Sequence, residues 1–194
     1  MPKLIYVIFV NTGVIGACLD AIRLLASPDA KRFSHVTVRG PYDRALKEPL
    51  ITDLNSLLKG KSILIDGAGN FFRDGQNTVF FTCRGGGLKD VWEKTEFSDF
   101  NPHVTIYDGN DRELASQIFS IVANYSYSIN CGEDKLSEIE IGNGTNGFLA
   151  IHLKSQDLPV ELGLPPRFQS QISIFSLQER LEYIDRICRH LSSY

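Results

Sequence analysis

The chain has 194 residues, 43% hydrophobic and 22% charged, which is enough apolar material for a core that needs no disulfide or metal staple. A net charge of -3 excludes a grip on long duplex nucleic acid through a broad basic surface, but leaves room for a nucleotide or short oligonucleotide in a local positive cleft. Four widely spaced cysteines form no CxxC pair and no apolar run reaches membrane-spanning length, so no metal or other cofactor and no membrane partner is expected, and the setting reads as cytoplasmic.

The β-branched and aromatic run at 4–10 predicts a buried strand. Val14, Cys18, Leu19, Ile22 and Leu25 recur at helical spacing and predict an amphipathic helix over 13–26, with Thr12 as a candidate cap. A second strand follows at 34–39, closed by Gly40-Pro41, and a short helix at 49–58. The strand at 61–66 is expected to break at Gly67 and Gly69, the next runs over 78–83, and Gly85-Gly86-Gly87 forms a turn. A helix is expected at 88–96, a strand at 102–107, and a helix at 112–124 capped by Asn110 or Asp111. Residues 125–131 and 136–141 look like a hairpin around Gly132. Strands at 148–154 and 170–175 and a closing helix at 177–191 complete the chain. Strands mixed with helices and joined by short turns point to α+β with largely antiparallel sheet. With no linker, residues 1–194 form a single domain, of which 148–194 is a candidate C-terminal elaboration.

The sequence repeats one motif. Residues 34–40 are SHVTVRG and residues 102–109 are PHVTIYDG. The chain has only four histidines, and random placement would give roughly 0.2 His-x-Thr triplets. Side chains alternate along a strand, so His35 and Thr37 share one face while Val36 and Val38 point the other way. His103 and Thr105 repeat this above Val104 and Ile106. Two such strands side by side gather two imidazoles and two hydroxyls. Extending the alternation adds Arg39 and Tyr107 to the same faces, as candidate phosphate-binding and base-stacking groups.

That set suits a phosphodiester. One neutral histidine takes a proton from water or a ribose hydroxyl, and the other, as imidazolium, protonates the leaving oxygen. The threonine hydroxyls donate to the non-bridging oxygens, where charge builds. The doubled His-x-Thr, each followed by an apolar residue, resembles the signature of the 2H phosphoesterase superfamily, and the order of elements from about Leu4 to about Tyr107 resembles it too. The resemblance implies a bilobal, pseudo-twofold α+β fold, with two antiparallel sheets flanking a central cleft and helices outside. It implies catalysis without a metal by His35, Thr37, His103 and Thr105. Candidate substrates are a 2′,3′-cyclic phosphate, a 2′,5′-linked oligonucleotide or a cyclic oligonucleotide signal. The rival is a nucleotide-binding or partner-interaction module that uses the same cleft without turnover.

Other features have plainer explanations. His152 alternates with Ala150 and Lys154 and reads as a surface residue, as does His190 on the last helix. Asp66-Gly-Ala-Gly-Asn and Arg84-Gly-Gly-Gly lack the strand–glycine–helix context of a nucleotide-binding loop and read as turns. Glu133, Asp134, Glu138 and Glu140 lack metal-ligand spacing and read as a solvated face.

Overall fold

Three amphipathic helices build one side of the molecule. In the computed structural model, which describes residues 3–10, 12–30, 33–94, 99–133, 135–141, 153, 157–165 and 168–194, these are α1 (Gly13–Ala26), α4 (Arg112–Val122) and α6 (Leu177–Leu191). Asp111 caps α4 by accepting from the Leu114 amide. A reciprocal Ser176/Glu179 capping box starts α6, satisfying two otherwise orphan donors. Thr12 precedes α1 but makes no side-chain cap. Helix α6 packs on both α1 and α4, and its Ile184, Ile187, Cys188 and Leu191 are fully buried or nearly so.

The strands are β1 (Lys3–Phe9), β2 (His35–Tyr42), β3 (Ile63–Arg73), β4 (Gln76–Gly85), β5 (Glu93–Lys94), β6 (His103–Gly109), β7 (Ile129–Cys131) and β8 (Ser137–Ile141). Shorter helices are α2 (Glu48–Leu58), α3 (Leu88–Val91) and α5 (Phe168–Gln171). The protein is α+β. Among the described residues the strands form one sheet, in the order β7-β3-β4-β6-β2-β1-β8, with β5 alongside β2. Only the β2–β5 pair is parallel. This differs from the two sheets expected. The two halves are joined in the middle, where β2 and β6 pair at the single position Val36–Val104.

Three further expectations change. Residues 125–141 form no hairpin: β7 pairs with β3 and β8 with β1, at opposite edges of the sheet. Gly67 and Gly69 do not end a strand, because β3 runs on to Arg73 and turns at Asp74-Gly75, where Gly75 has φ 81°. A Cβ on Gly69 would lie 2.5 Å from the Phe80 ring, so the glycine is there to let that ring lie against the strand. The segment expected as a strand at 170–175 is α5 followed by a 3-10 turn, Ile172–Ile174. The strand expected at 148–154, His152 within it, lies outside the described residues apart from Leu153. So do Asp134 and the end of the helix expected at 88–96, whose described part is α3 followed by β5.

Val36, Val38, Val104 and Ile106 point into the core shared with α1, α4 and α6. The opposite face carries the motif polar groups. Helix α6 therefore supports the sheet from behind. Leu191→Ala should lower unfolding free energy by about 2–5 kcal/mol, read from urea denaturation; an unchanged midpoint would make α6 peripheral.

Candidate active site

His35, Thr37, His103 and Thr105 are all half-buried, each between two buried neighbours. Continuing the Val36–Val104 register by one residue each way sets His35 across from Thr105, and Thr37 across from His103. On that register the two histidines occupy diagonal positions across the strand pair.

Both rings are held in the same way. His35 Nδ1 is 2.7 Å from the Phe33 carbonyl, and His103 Nδ1 is 2.8 Å from the Asn101 carbonyl. A carbonyl only accepts, so Nδ1 carries the hydrogen and Nε2 is the basic nitrogen in the neutral ring. The anchor is two residues upstream in both cases. Surroundings differ: His35 meets the edge of Phe9 at 6.2 Å, whereas His103 lies 4.6 Å from Phe80 and 5.8 Å from Phe71, measured between ring centroids.

Directly after each threonine the strand bulges. On β2, Thr37 pairs with Val7 and Arg39 with Tyr6, which leaves Val38 as an extra residue. On β6, Thr105 pairs with Phe80 and Tyr107 with Val79, which leaves Ile106 extra. An extra residue resets the alternation of faces. The next side chains, Arg39 and Tyr107, therefore turn to the buried side instead of the motif face.

This corrects the expected roles of both. Tyr107 is 6% exposed within the core. Burial raises its phenol pKa, and its hydroxyl donates to the Asp111 carbonyl at 3.4 Å. Arg39 is 8% exposed. Its Nε donates to the Val91 carbonyl at 2.8 Å and its Nη1 pairs with Glu93. Those two bonds straddle Trp92, so Arg39 fixes the chain that presents the indole. On β6 the residue returned to the motif face is Asp108, paired with Thr78.

Helix α1 ties both motifs from behind. Asp20 Oδ1 accepts from the Ser34 amide at 2.6 Å, next to His35. Three residues on, Arg23 Nη1 donates to the Thr105 carbonyl at 2.5 Å. Asp20 is 2% exposed, and burial raises its pKa above the ordinary carboxylate value despite the bond from Ser34 and the Arg23 charge.

A cavity of about 300 Å³ opens beside the second motif, lined by His103, Thr105, Phe71, Arg73, Trp92 and Asp108 among others. His35 and Thr37 do not line it. Phe71, Arg73 and Trp92 were not singled out from sequence. Their signal was the Phe71-x-Arg73 alternation ahead of Asp74-Gly75, hidden by ending the strand at Gly67. A larger open groove, about 860 Å³, runs between α4 and α6 and holds neither motif. Among the described residues no three His, Cys, Asp or Glu side chains group as metal ligands. No family model, no curated protein and no solved structure matches the chain.

Tyr107→Phe should leave kcat and KM at wild-type values in steady-state assays, since the ring packs in the core; a fall in kcat would return the hydroxyl to the site. Asp20 gives a pH signature. Its folded pKa lies above its unfolded one, so the folded state holds the proton more tightly and this group's contribution falls as pH rises from the unfolded toward the folded value. The stability of Asp20→Asn relative to wild type should therefore increase through that window and then level off, as followed by denaturation at a series of pH values. A flat difference would mean Asp20 titrates normally.

Proposed function

We propose that the protein is a phosphodiesterase of the 2H type, acting without a metal on a nucleotide phosphodiester next to a ribose 2′ oxygen. The observation that carries this reading is the matched anchoring of two imidazoles, each by Nδ1–H to the carbonyl two residues upstream, on strands that meet between them. A pair of structural histidines has no need of identical tautomers, or of a threonine across from each ring.

In this reading one Nε2 takes the proton from the attacking oxygen, a water or a ribose hydroxyl. The P–O bond to that oxygen forms and the bond to the leaving oxygen breaks. The other Nε2–H gives its proton to the leaving oxygen, and exchange with solvent resets both rings. Thr37 and Thr105 donate to the non-bridging oxygens as charge gathers there. Each proton transfer is worth about 10²–10⁴-fold. Substrates with a 2′,3′-cyclic phosphate, a 2′,5′ linkage or a cyclic oligonucleotide backbone all offer a suitable phosphodiester.

The test is a nucleotide panel in EDTA: 2′,3′-cyclic mononucleotides, 2′,5′-linked oligoadenylates, cyclic dinucleotides and 3′,5′-linked controls. Turnover should survive the chelator and fall by about 10²-fold or more in each of His35→Ala and His103→Ala. Activity that persists in either variant would sink the two-histidine mechanism. Binding without turnover in the folded wild type would assign the cleft to recognition.

A further inference from the structure

We propose that the cleft continues past His103 into a subsite for a second phosphate, held by Arg73, so that the preferred substrate is an oligonucleotide bearing a phosphate beyond the one attacked. This rests on the reading above and narrows its substrate.

The β3–β4 hairpin leads away from the motif. Opposite one another on the motif face stand Gly69 and Phe80, then Phe71 and Thr78, then Arg73 and Gln76 at the turn. Phe80 pairs onward with Thr105, and Thr78 with Asp108. The face therefore runs without a break from the catalytic pair to Arg73. The Arg73 guanidinium carbon lies 5.8 Å from the Phe71 ring centroid, and that ring lies 5.8 Å from the His103 ring. Two short steps thus connect imidazole, aromatic ring and guanidinium, so that with one phosphate at the imidazole a base can lie against the ring and the sugar can extend a next phosphate toward the guanidinium.

The walls are built rather than incidental. Gly69 leaves room for Phe80, and Phe80 packs against Phe71 at 4.6 Å between centroids. Trp92 enters the same cavity between the two residues that Arg39 holds. Faces of this kind stack bases with little regard to sequence.

Arg73 brings positive charge to the hairpin end. Arg73 is the one permanently charged cation among the described residues lining the cavity. No carboxylate among the described residues lies within ion-pair distance of it. Asp99 and Asp108 line the cavity too, and Asp108 Oδ1 is held by Gln76 Nε2 and Thr78 Oγ1, which donate to it at 2.9 Å each. A guanidinium fork stacked on an aromatic ring is well shaped to receive phosphate oxygens.

The experiment compares three probes: 2′,5′-linked diadenylate without a terminal phosphate, and the same dinucleotide phosphorylated at its 5′ or its 2′ end. Turnover and equilibrium binding are measured for wild type, Arg73→Ala, Arg73→Lys and His103→Ala. Wild type should favour a phosphorylated probe by about tenfold in KM and Kd with little change in kcat, and the preference should shrink as salt rises. Arg73→Ala should bind all three probes alike. Arg73→Lys should restore part of the preference. His103→Ala should lose turnover yet keep it. Equal affinity for the three probes in wild type, or an undiminished preference in Arg73→Ala, would overturn the subsite. An Arg73-dependent binding preference with no turnover on any probe would sink the catalytic reading and leave the subsite standing.

Discussion

The structure depends on one narrow join, the pairing of Val36 with Val104 where β2 meets β6. Each strand reaches this point with an apolar residue facing the helices and a polar one on either side of it facing away. Past the threonine, each must return to the core. The bulges at Val38 and Ile106 make that turn, and they make it at equivalent positions in the two motifs. A join of one pair has little ladder of its own to keep two imidazoles in register. Helix α1 supplies the missing rigidity. Asp20 holds the backbone entering the first motif and Arg23 holds a carbonyl of the second, from positions one helical turn apart. The geometry between the motifs is thus set by a helix behind the sheet, on the side that bears none of the four motif side chains.

That His35 and Thr37 share a face, as His103 and Thr105 do, was legible in the sequence because the signal is local. His-x-Thr in a strand puts both side chains on one face whatever the rest of the chain does. Helices α1 and α6 were legible for the same reason, through apolar spacing over four turns. What was not legible came from pairing. A bulge is a property of two strands, and nothing within VTVRG or VTIYDG says that the partner will skip a residue. Extending strict alternation therefore placed Arg39 and Tyr107 on the wrong face and missed Asp108. The same limit explains residues 125–141. β7 and β8 flank a glycine turn and have hairpin-like neighbours, yet the chain finds better partners in β3 and β1, at opposite edges of the sheet. Gly67 and Gly69 misled in a related way. A glycine that makes room for a ring on the adjacent strand cannot be told from a strand breaker until the neighbour is known.

Symmetry of the machinery and asymmetry of its walls have separate consequences. Both histidines are oriented at Nδ1 by the carbonyl two residues upstream. A carboxylate on Nδ1–H would stabilise imidazolium and bias that ring toward the acid role. A carbonyl fixes the tautomer without placing a charge on Nδ1–H. The shared Nδ1 anchor treats the two rings alike, and under the two-histidine reading the direction in which a substrate lies decides which is acid and which is base. That direction is set by what surrounds the pair. His103 is backed by Phe71 and Phe80 and opens on a cavity with Trp92 and Arg73, whereas His35 has the edge of Phe9. Under the two-histidine reading, the bulk of the substrate lies on the His103 side. The histidine nearer the departing or the attacking oxygen then follows from which end of the nucleotide fills the cavity. Under that reading the two motifs provide the chemistry, and the Phe71, Phe80 and Arg73 side chains of the β3–β4 hairpin provide the direction.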